Sequence, residues 1–429
     1  MTPEKPSSLR RILTMLLLIS AGETIFLLPF VVARIFRPTF LDIFQITNLE
    51  LGSAFSLYGL VAIGAYFAGG PLADRFSARQ LMSVAVATTA LGGIWMASIP
   101  SLAVLTLLYG FWGLTTILLF WAALIRATRE WGGSDSQGQA FGILDGGRGL
   151  FVALLSSISV AIFASLMPEE VEAATFAQRK AALSQIIWIF AGLGFVVALL
   201  LWFFIPDGKA NEIEERKNVF SAGRVKKVFS MPQIWLQALI VVCAYVGYKM
   251  TDDYSLLARD AFGYNEVDAA GLGTISFWVR PFAALGAGLL ADRLLSSQVV
   301  QLGFITMMVG CLLIYFDLVD PGVGWMLIFT IIVASIGIYG LRGVYFALFE
   351  EGKVPLAFTG TAVGIVSVIG YTPDVFMGPL MGYLIDKNPG PLGHQHVFGV
   401  VALFALVGFL ATWAFRQVNK PQNTPLEMG

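Results

Sequence analysis

The chain has 429 residues, of which 57% are hydrophobic and only 13% charged, with a formal net charge of −1. A soluble domain carries roughly 25% charged residues, so this composition leaves too little polar surface for a water-soluble globule. The balanced charge also argues against a nucleic-acid partner, which requires a concentrated basic face. The apolar residues are therefore predicted to face lipid.

Twelve apolar segments follow one another along the chain, each near the roughly 20 residues that a helix needs to cross a bilayer. The first six are predicted over 12–33, 51–70, 80–98, 101–125, 141–166 and 185–205. The second six are predicted over 231–251, 269–290, 299–317, 323–349, 357–383 and 397–415. The first segment is too long for a cleaved signal peptide, and no small-residue cleavage site follows it.

These segments predict an all-α membrane protein with two six-helix bundles. The bundles cover 1–205 and 231–415, with a polar linker over 206–230 and a tail over 416–429. Lys and Arg accumulate on the cytoplasmic side of a membrane. If the N-terminus is cytoplasmic, the linker and most basic loop residues share that side, so both termini are expected there. The outer side then receives only Arg34, Arg37, Arg179, Lys180, Lys249, Arg259 and Lys387.

Cysteine and histidine residues give no sign of a metal or cofactor. Cys243 and Cys311 lie inside apolar stretches and are predicted to be buried thiols. His394 and His396 fall in the sequence PGPLGHQH, where we expect an exposed outer loop. A nucleotide-binding glycine loop and a catalytic His/Asp or Ser/His cluster are both missing from the sequence, which argues against an ATP-driven pump and against a membrane enzyme.

The two predicted halves repeat one another. GPLADRFSAR begins at Gly70 after the second segment, and GLLADRLLSS begins at Gly288 after the eighth. Similar pairs begin at Gly110 and Gly337 and at Gln139 and Thr361. Internal repeats are typical of secondary transporters, whose substrate site lies near the midplane between the repeats.

Twelve spans, a cytoplasmic central loop and the repeated G-x-L-A-D-R motif resemble the major facilitator superfamily over essentially the whole chain. The first copy departs from the family pattern at Ser77 and Ala78, and the second lacks the basic tail. The resemblance implies alternating access between two pseudo-symmetric halves, with the motif residues acting as a gate. The alternative is an ordinary charged turn. The predicted gating residues are Gly70, Asp74, Arg75, Arg79, Gly288, Asp292 and Arg293.

A charged side chain inside a span is costly and suggests a functional role, and six such candidates stand out in the predicted spans. They are Glu23, Asp145, Arg148, Arg280, Arg342 and Asp374. Arg280 aligns with Ala62 and Arg342 with Thr115, so the second half alone carries these two charges. A guanidinium grips carboxylate or phosphate with two donors. The predicted substrate contacts are therefore Arg280, Arg342, Arg148, Trp112, Trp278 and Tyr339.

Two alternatives remain open for these charges. The arginines could form structural pairs with Asp374 or Glu23, and Asp145 could neutralise Arg148, since residues three apart share a helix face. Burial disfavours the charged form of a carboxylate, so a carboxyl group inside a span can take up and release a proton. Glu23, then Asp374 and Asp145, are the predicted proton carriers.

The expected function is secondary transport of a small organic or inorganic anion, coupled to protons as a symport. The expected setting is a bacterial inner membrane, with a monomeric chain that needs no cofactor. One alternative is proton-driven efflux of drug-like compounds, although the fifth span lacks the proline of the G-x-x-x-G-P-x-x-G-G pattern found in such transporters. Another alternative is a sensor that keeps the fold without transporting.

Overall fold

The structure, a computed structural model, describes residues 8–133, 137–206 and 227–419. Within these ranges, twelve helices are long and apolar enough to cross a membrane, which confirms the predicted all-α membrane fold. The first six are α1 (Leu9–Ile35), α2 (Asn48–Ala73), α3 (Ala78–Ala97), α4 (Leu102–Gly132), α5 (Gln139–Ser165) and α6 (Phe176–Phe204). The second six are α7 (Pro232–Phe262), α8 (Glu266–Ala291), α9 (Ser296–Tyr315), α10 (Gly324–Val344), α11 (Ala362–Lys387) and α12 (Pro391–Val418).

Several helices are longer than the apolar pattern predicts, and three of them extend furthest beyond it. The helix α6 begins at Phe176 rather than 185, because Thr175 forms a capping box with Gln178. The helix α12 begins at Pro391 and runs through Val418, into the predicted tail. The helix α7 continues through a 3₁₀ turn at Thr251–Asp253 to Phe262. Polar helix ends escape a hydropathy pattern, so these extensions were not predicted. Residues 207–226 of the predicted linker and 420–429 of the tail lie outside the described residues.

Two spans contain wider, π-helical turns near the middle of the bundle. In α1 this segment is Leu27–Val31, which includes Pro29. Proline lacks a backbone N–H and so interrupts the hydrogen-bond ladder of an α-helix. In α4 the segment is Leu114–Trp121. Such π segments frequently occur at functional sites, because they redirect side chains out of the regular helical register.

The two halves touch at one end of the bundle. We call this end the opposite face and the end where α1 begins the N-terminal face. The helix α2 packs against α11, and α5 packs against α8. A Cβ atom at Gly52 would overlap the Gly378 carbonyl, and one at Gly382 would overlap the backbone of Asn48. Only glycine, which has no side chain, permits the two backbones to come this close. The α2–α11 contact near the opposite face therefore depends on these glycines.

Toward the N-terminal face the same helices diverge. Gly70 of α2, Gly142 of α5, Gly288 of α8 and Gly364 of α11 all face open space, with no other group within 4 Å of an added Cβ. Neither Gly70 nor Gly288, both predicted gating residues, is in close contact with another helix in this conformation. Because the halves meet at the opposite face and separate here, the space between them opens toward the N-terminal face.

Candidate functional site

A central cavity of about 100 Å³ lies between the two halves. Its wall is formed by α1, α2, α4, α5, α7, α8, α10 and α11. The π segments of α1 and α4 contribute Phe30, Val31, Ile117 and Trp121. The charged side chains on the wall are Glu23, Arg34, Arg148, Lys249, Arg280, Arg342 and Asp374.

Four of the charged residues predicted from the sequence form one network, which we call the arginine–carboxylate cluster: Glu23, Asp145, Arg148 and Arg280. Glu23 lies between two guanidinium groups, 3.2 Å from Arg148 Nε and 3.3 Å from Arg280 Nη1. Arg280 also donates a hydrogen bond to Asp145 at 3.2 Å. The cluster joins α1, α5 and α8, and its two positive and two negative groups cancel.

Local packing holds this cluster together. A Cβ at Gly22 would come within 2.9 Å of the Arg148 side chain, so the glycine leaves room for that arginine beside Glu23. Asp145 and Arg148 are 3.9 Å apart, which is the weakest contact in the cluster. Asp145 lies closer to Arg280, and Arg148 lies closer to Glu23. The predicted alternative, in which Asp145 neutralises Arg148, is therefore only a minor interaction in the cluster.

A second network, which we call the α7 network, comprises Arg34, Lys249, Asp252 and Asp374. Arg34 and Asp252 are both buried and lie 2.5 Å apart. Lys249 Nζ bridges Asp252 at 3.2 Å and Asp374 at 3.5 Å. Asp374 also accepts a hydrogen bond from the Tyr245 hydroxyl at 3.1 Å. This network joins α1 of the first half to α7 and α11 of the second, and its formal charges also cancel.

The Arg34–Asp252 pair connects equivalent positions of the two halves. The two residues are 218 positions apart, which is also the separation of Gly70 and Gly288 in the repeated motif. Equivalent positions meet only near the pseudo-two-fold axis that relates the halves. Ser255 strengthens this contact by donating a hydrogen bond to the Arg34 carbonyl oxygen. The pair therefore closes the cavity on the side of the opposite face.

Arg342 differs from every other cation on the cavity wall. Its guanidinium carbon lies 3.8 Å from the centre of the Tyr248 ring and 5.6 Å from that of Tyr245. Among the described residues, no carboxylate pairs with it, and its buried Nη1 has no hydrogen-bond partner. A buried charged donor without a partner is costly, and such groups ordinarily find one. Arg342 thus presents an unsatisfied donor and an uncompensated charge.

Five tyrosines line the same cavity as Arg342, and two of them, Tyr245 and Tyr248, place their rings beside its guanidinium group. We call this group the tyrosine cage: Tyr58, Tyr66, Tyr245, Tyr248 and Tyr371. The rings of Tyr245 and Tyr371 lie 4.9 Å apart, and those of Tyr66 and Tyr371 lie 6.2 Å apart across the two halves. Arg34 donates a hydrogen bond to the Tyr248 hydroxyl. The cage combines apolar ring faces with hydroxyl groups, which suits an organic ligand with polar substituents.

The predicted substrate and proton residues divide into two groups. Glu23, Arg148, Arg280, Arg342 and Asp374 all lie on the cavity wall. Asp145 lies beside it and contacts the wall through Arg280, with 53% of its side chain exposed.

Three predicted aromatic contacts lie away from the cavity wall. Trp112 is fully buried and donates a hydrogen bond to the Thr89 carbonyl oxygen, so it packs α4 against α3. Trp278 points away from the cavity and donates to Ser157, linking α8 to α5. Tyr339 packs edge-on against Tyr248, on the far side of the tyrosine cage. Proximity in sequence to Arg280 and Arg342 does not determine which helix face an aromatic ring occupies.

The sequence analysis missed Arg34, Lys249 and Asp252. The placement of Arg34 and Lys249 in outer loops was wrong, because both are buried in helices and contact carboxylates. The sequence does contain a signal: Lys249 is followed within four residues by Asp252 and Asp253, a dense charge group at the end of an apolar segment. A helix that continues past its apolar stretch can fold such charges inward.

The predicted exposed loop at His394 is also wrong. His394 lies in the first turn of α12, fully buried, and its Nδ1 is 2.7 Å from Asp253 of α7. Asp260 lies 3.5 Å from the other ring nitrogen. This pair fixes α12 against α7 near the opposite face. The prediction for the cysteines is confirmed, since Cys243 and Cys311 are buried free thiols.

The motif residues proposed as a gate lie at the N-terminal face. Arg75, Asp292 and Arg293 are exposed in this conformation, and the side chain of Asp74 lies outside the described residues. Arg79 lies with its guanidinium carbon 5.7 Å from the centre of the Trp202 ring. Ser77, which replaces the usual glycine, caps α3 by accepting a hydrogen bond from the Gln80 amide.

Comparison with known proteins identifies the family. The model described as Major Facilitator Superfamily matches residues 12–373. The chain belongs to the major facilitator superfamily. It is 26% identical to the inner membrane protein YqcE of Escherichia coli (strain K12), over 98% of each chain. It is 24% identical to the inner membrane protein YihN of the same organism, over 91% of this chain and 92% of that protein.

Solved structures share the fold. A bacterial homolog of the human lysosomal transporter Spinster superposes with a TM-score of 0.72 at 16% identity, covering 96% of this chain and 99% of that one. A variant of the nucleoside transporter NupG gives 0.73 at 13% identity, covering 95% and 99%. The predicted family is thus confirmed. The chain is a multi-pass membrane protein, and its family indicates a transporter rather than an enzyme.

Proposed function

We propose that this transporter moves a small anion across the membrane by alternating access and that Arg342 anchors the anion. The supporting observation is the buried, unpartnered Arg342 donor on the cavity wall. A carboxylate or phosphate oxygen would supply both the missing hydrogen-bond acceptor and the missing counter-charge. Arg280, the other predicted anchor, already has Glu23 and Asp145 as partners, so its role is to hold α8 against α1 and α5.

The size of the cavity favours a small solute over a drug-like compound. Its volume of about 100 Å³ lies below the roughly 300–1,000 Å³ that is usual for drug-sized ligands. The charged wall points the same way, because efflux of bulky apolar compounds calls for a larger apolar surface. The proposed cargo is therefore a small organic or inorganic anion.

Asp374 is the best placed of the three predicted proton carriers. Glu23 lies between two guanidinium groups, so its charge is needed to hold the arginine–carboxylate cluster together. Asp374 lies on the cavity wall, with one ammonium group at 3.5 Å and a tyrosine hydroxyl at 3.1 Å. Proton exchange at Asp374 would change its hold on Lys249, and Lys249 in turn contacts the Asp252 of the closed Arg34 pair. Coupling would thus run along the α7 network.

The proposed transport cycle alternates between two closed faces. The Arg34–Asp252 pair and the α2–α11 glycine contact close the opposite face in this conformation. Arg75, Arg79, Asp292 and Arg293, with Asp74, would lock the N-terminal face when the halves rock. We place the chain in a bacterial inner membrane as a monomer, with both termini cytoplasmic and proton symport as its mode.

Reconstitution into liposomes tests this function. The purified protein is loaded into vesicles with a pH-sensitive dye and supplied with monocarboxylic acids, sugar acids and phosphate esters. We expect at least one anion to drive proton movement, and Arg342→Gln to abolish it while Arg342→Lys retains a fraction, because Lys keeps the charge but loses the bidentate fork. Absence of solute-dependent flux across the panel would instead favour a non-transporting sensor.

A further inference from the structure

The charged groups at the central cavity do not cancel completely. The cations on the wall are Arg34, Arg148, Lys249, Arg280 and Arg342. The carboxylates that lie on the wall or contact those cations directly are Glu23, Asp145, Asp252 and Asp374. With every group ionised, one positive charge is left over. Arg37, a buried arginine just past the end of α1, hydrogen-bonds to Asn48 and lies off the wall.

The surplus charge can be assigned to one residue. Arg34 and Lys249 share Asp252, at 2.5 and 3.2 Å, and Lys249 also reaches Asp374. The remaining two paired cations, Arg148 and Arg280, have carboxylates at 3.2 Å in the arginine–carboxylate cluster. Arg342 alone of the five has no carboxylate within 4.0 Å among the described residues, and the rings of Tyr245 and Tyr248 lie beside it instead. An uncompensated charge inside a bilayer is energetically costly. A ligand of opposite charge removes this cost when it binds, which makes its binding free energy more favourable.

We propose that the cavity selects its solute by valence and accepts a hydroxylated organic anion with one net negative charge. This inference rests on the proposed function and narrows its substrate class. One carboxylate on Arg342 brings the cavity to neutrality. A neutral solute leaves the positive charge in place, and a dianion replaces it with a negative one.

The hydroxyl part of the proposal follows from the tyrosine cage. Tyr248 accepts a hydrogen bond from Arg34, which leaves its own hydroxyl proton free to donate. That hydroxyl is attached to the ring on which Arg342 stacks, so one residue positions the anchor and offers a donor beside it. The remaining cage members add ring faces and hydroxyl groups that match the carbon skeleton and hydroxyl groups of a polyol acid.

The charge of Asp374 determines how many negative charges a ligand must carry to make the cavity neutral. The titratable groups that face Asp374 are Lys249 and Tyr245 on α7 and Tyr58 and Tyr66 on α2, with Asp252 behind Lys249. The helix α2 faces it with the backbone of Gly59, close enough that a Cβ there would lie 2.7 Å from Asp374. Replacing Asp374 by Asn removes one negative charge and nearly preserves the shape. The cavity would then carry two positive charges and should prefer a dianion.

Binding of three matched probes tests the inference. Sorbitol, gluconate and glucarate share one six-carbon hydroxylated skeleton and carry zero, one and two negative charges at neutral pH. Isothermal titration of the full-length protein in detergent should give wild type at least tenfold tighter binding of gluconate than of the other two. Asp374→Asn should shift the gluconate-to-glucarate ratio at least tenfold toward glucarate. The control is Asp386→Asn, a carboxylate on the same helix that binds the backbone of Asn48 and Leu49, which should keep the wild-type ranking.

The other outcomes overturn the proposal in distinguishable ways. Wild-type preference for sorbitol or glucarate, binding of none of the three, or an unchanged ranking in Asp374→Asn each contradicts selection by valence. Arg342→Gln in the same titration separates this failure from failure of the proposed function. If gluconate binding survives Arg342→Gln, the anion site itself is wrong. If that binding is lost while Asp374→Asn keeps the wild-type ranking, only the valence rule is wrong.

Discussion

The arginine–carboxylate cluster and the tyrosine cage lie side by side in one cavity, but an arginine is paired with carboxylates in the first and unpaired in the second. Arg280 has two carboxylates within 3.3 Å, and Arg342 has two tyrosine rings and an unpartnered donor. Both arginines belong to the second half alone, so the sequence gives them equal weight. A paired charge holds helices together, whereas an unpaired charge is available to a ligand. Under the proposed function, the surroundings of each arginine, and not the residue type, distinguish the structural role of Arg280 from the binding role of Arg342.

The largest effect is expected where the pairing is densest. Glu23→Gln would leave Arg148 and Arg280 with Asp145 as their remaining carboxylate in the cluster. Removing one partner of a buried ion pair typically costs about 3–5 kcal/mol. Denaturant titration of the purified protein, followed by tryptophan fluorescence, should show this loss in the free energy of unfolding. An unchanged unfolding curve would mean that Glu23 does not hold the cluster together.

A smaller effect is expected in the cage. Tyr248→Phe keeps the ring under Arg342 and removes only the hydroxyl. A net hydrogen bond contributes about 1 kcal/mol, so anion affinity should fall roughly fivefold. Titration with the anion that the liposome assay identifies measures this change. Tyr339→Phe is the matched control, since that hydroxyl lies off the cavity wall, and it should bind like wild type. Equal losses in both variants would indicate a general packing effect.

The smallest effect is expected at the exposed edge of the cluster. The side chain of Asp145 is 53% exposed, so water screens its ion pair with Arg280 and can solvate Arg280 when the carboxylate is removed. Asp145→Asn should therefore lower the free energy of unfolding by no more than about 1 kcal/mol. The same denaturant titration checks it. A loss as large as that of Glu23→Gln would place the centre of the cluster at Asp145 instead.

The fold was largely predictable from the sequence, because twelve apolar segments and a repeated motif are strong local signals. Helix ends were not, since polar turns such as Thr175–Arg179 and Thr251–Asp253 look like loops to a hydropathy pattern. That error hid Asp252, which lies where α7 continues past its apolar stretch. Lys249 lies within that stretch, and it was missed because it was counted with the basic residues of the outer side. It also placed His394 in a loop, although Asp253 holds it inside the bundle.

The candidate site was predictable only as a list of charges. Glu23, Arg148, Arg280, Arg342 and Asp374 were found because charges inside spans are rare. Their partners depend on contacts between distant helices, such as α1 with α8, which a single sequence does not specify. The aromatic contacts were the weakest part of the prediction, because Trp112 and Trp278 face neighbouring helices instead of the cavity.

The most direct test compares Arg342→Gln with Arg280→Gln in two assays on the same preparations: affinity for the transported anion and free energy of unfolding. The account predicts that Arg342→Gln loses at least tenfold in affinity with no loss of stability, since it removes a half-buried charge that has no carboxylate partner among the described residues. Arg280→Gln should lose stability by about 3–5 kcal/mol and, once folded, bind within a few fold of wild type. Anion binding that survives Arg342→Gln but disappears in folded Arg280→Gln would contradict the assignment of Arg342 as the anchor.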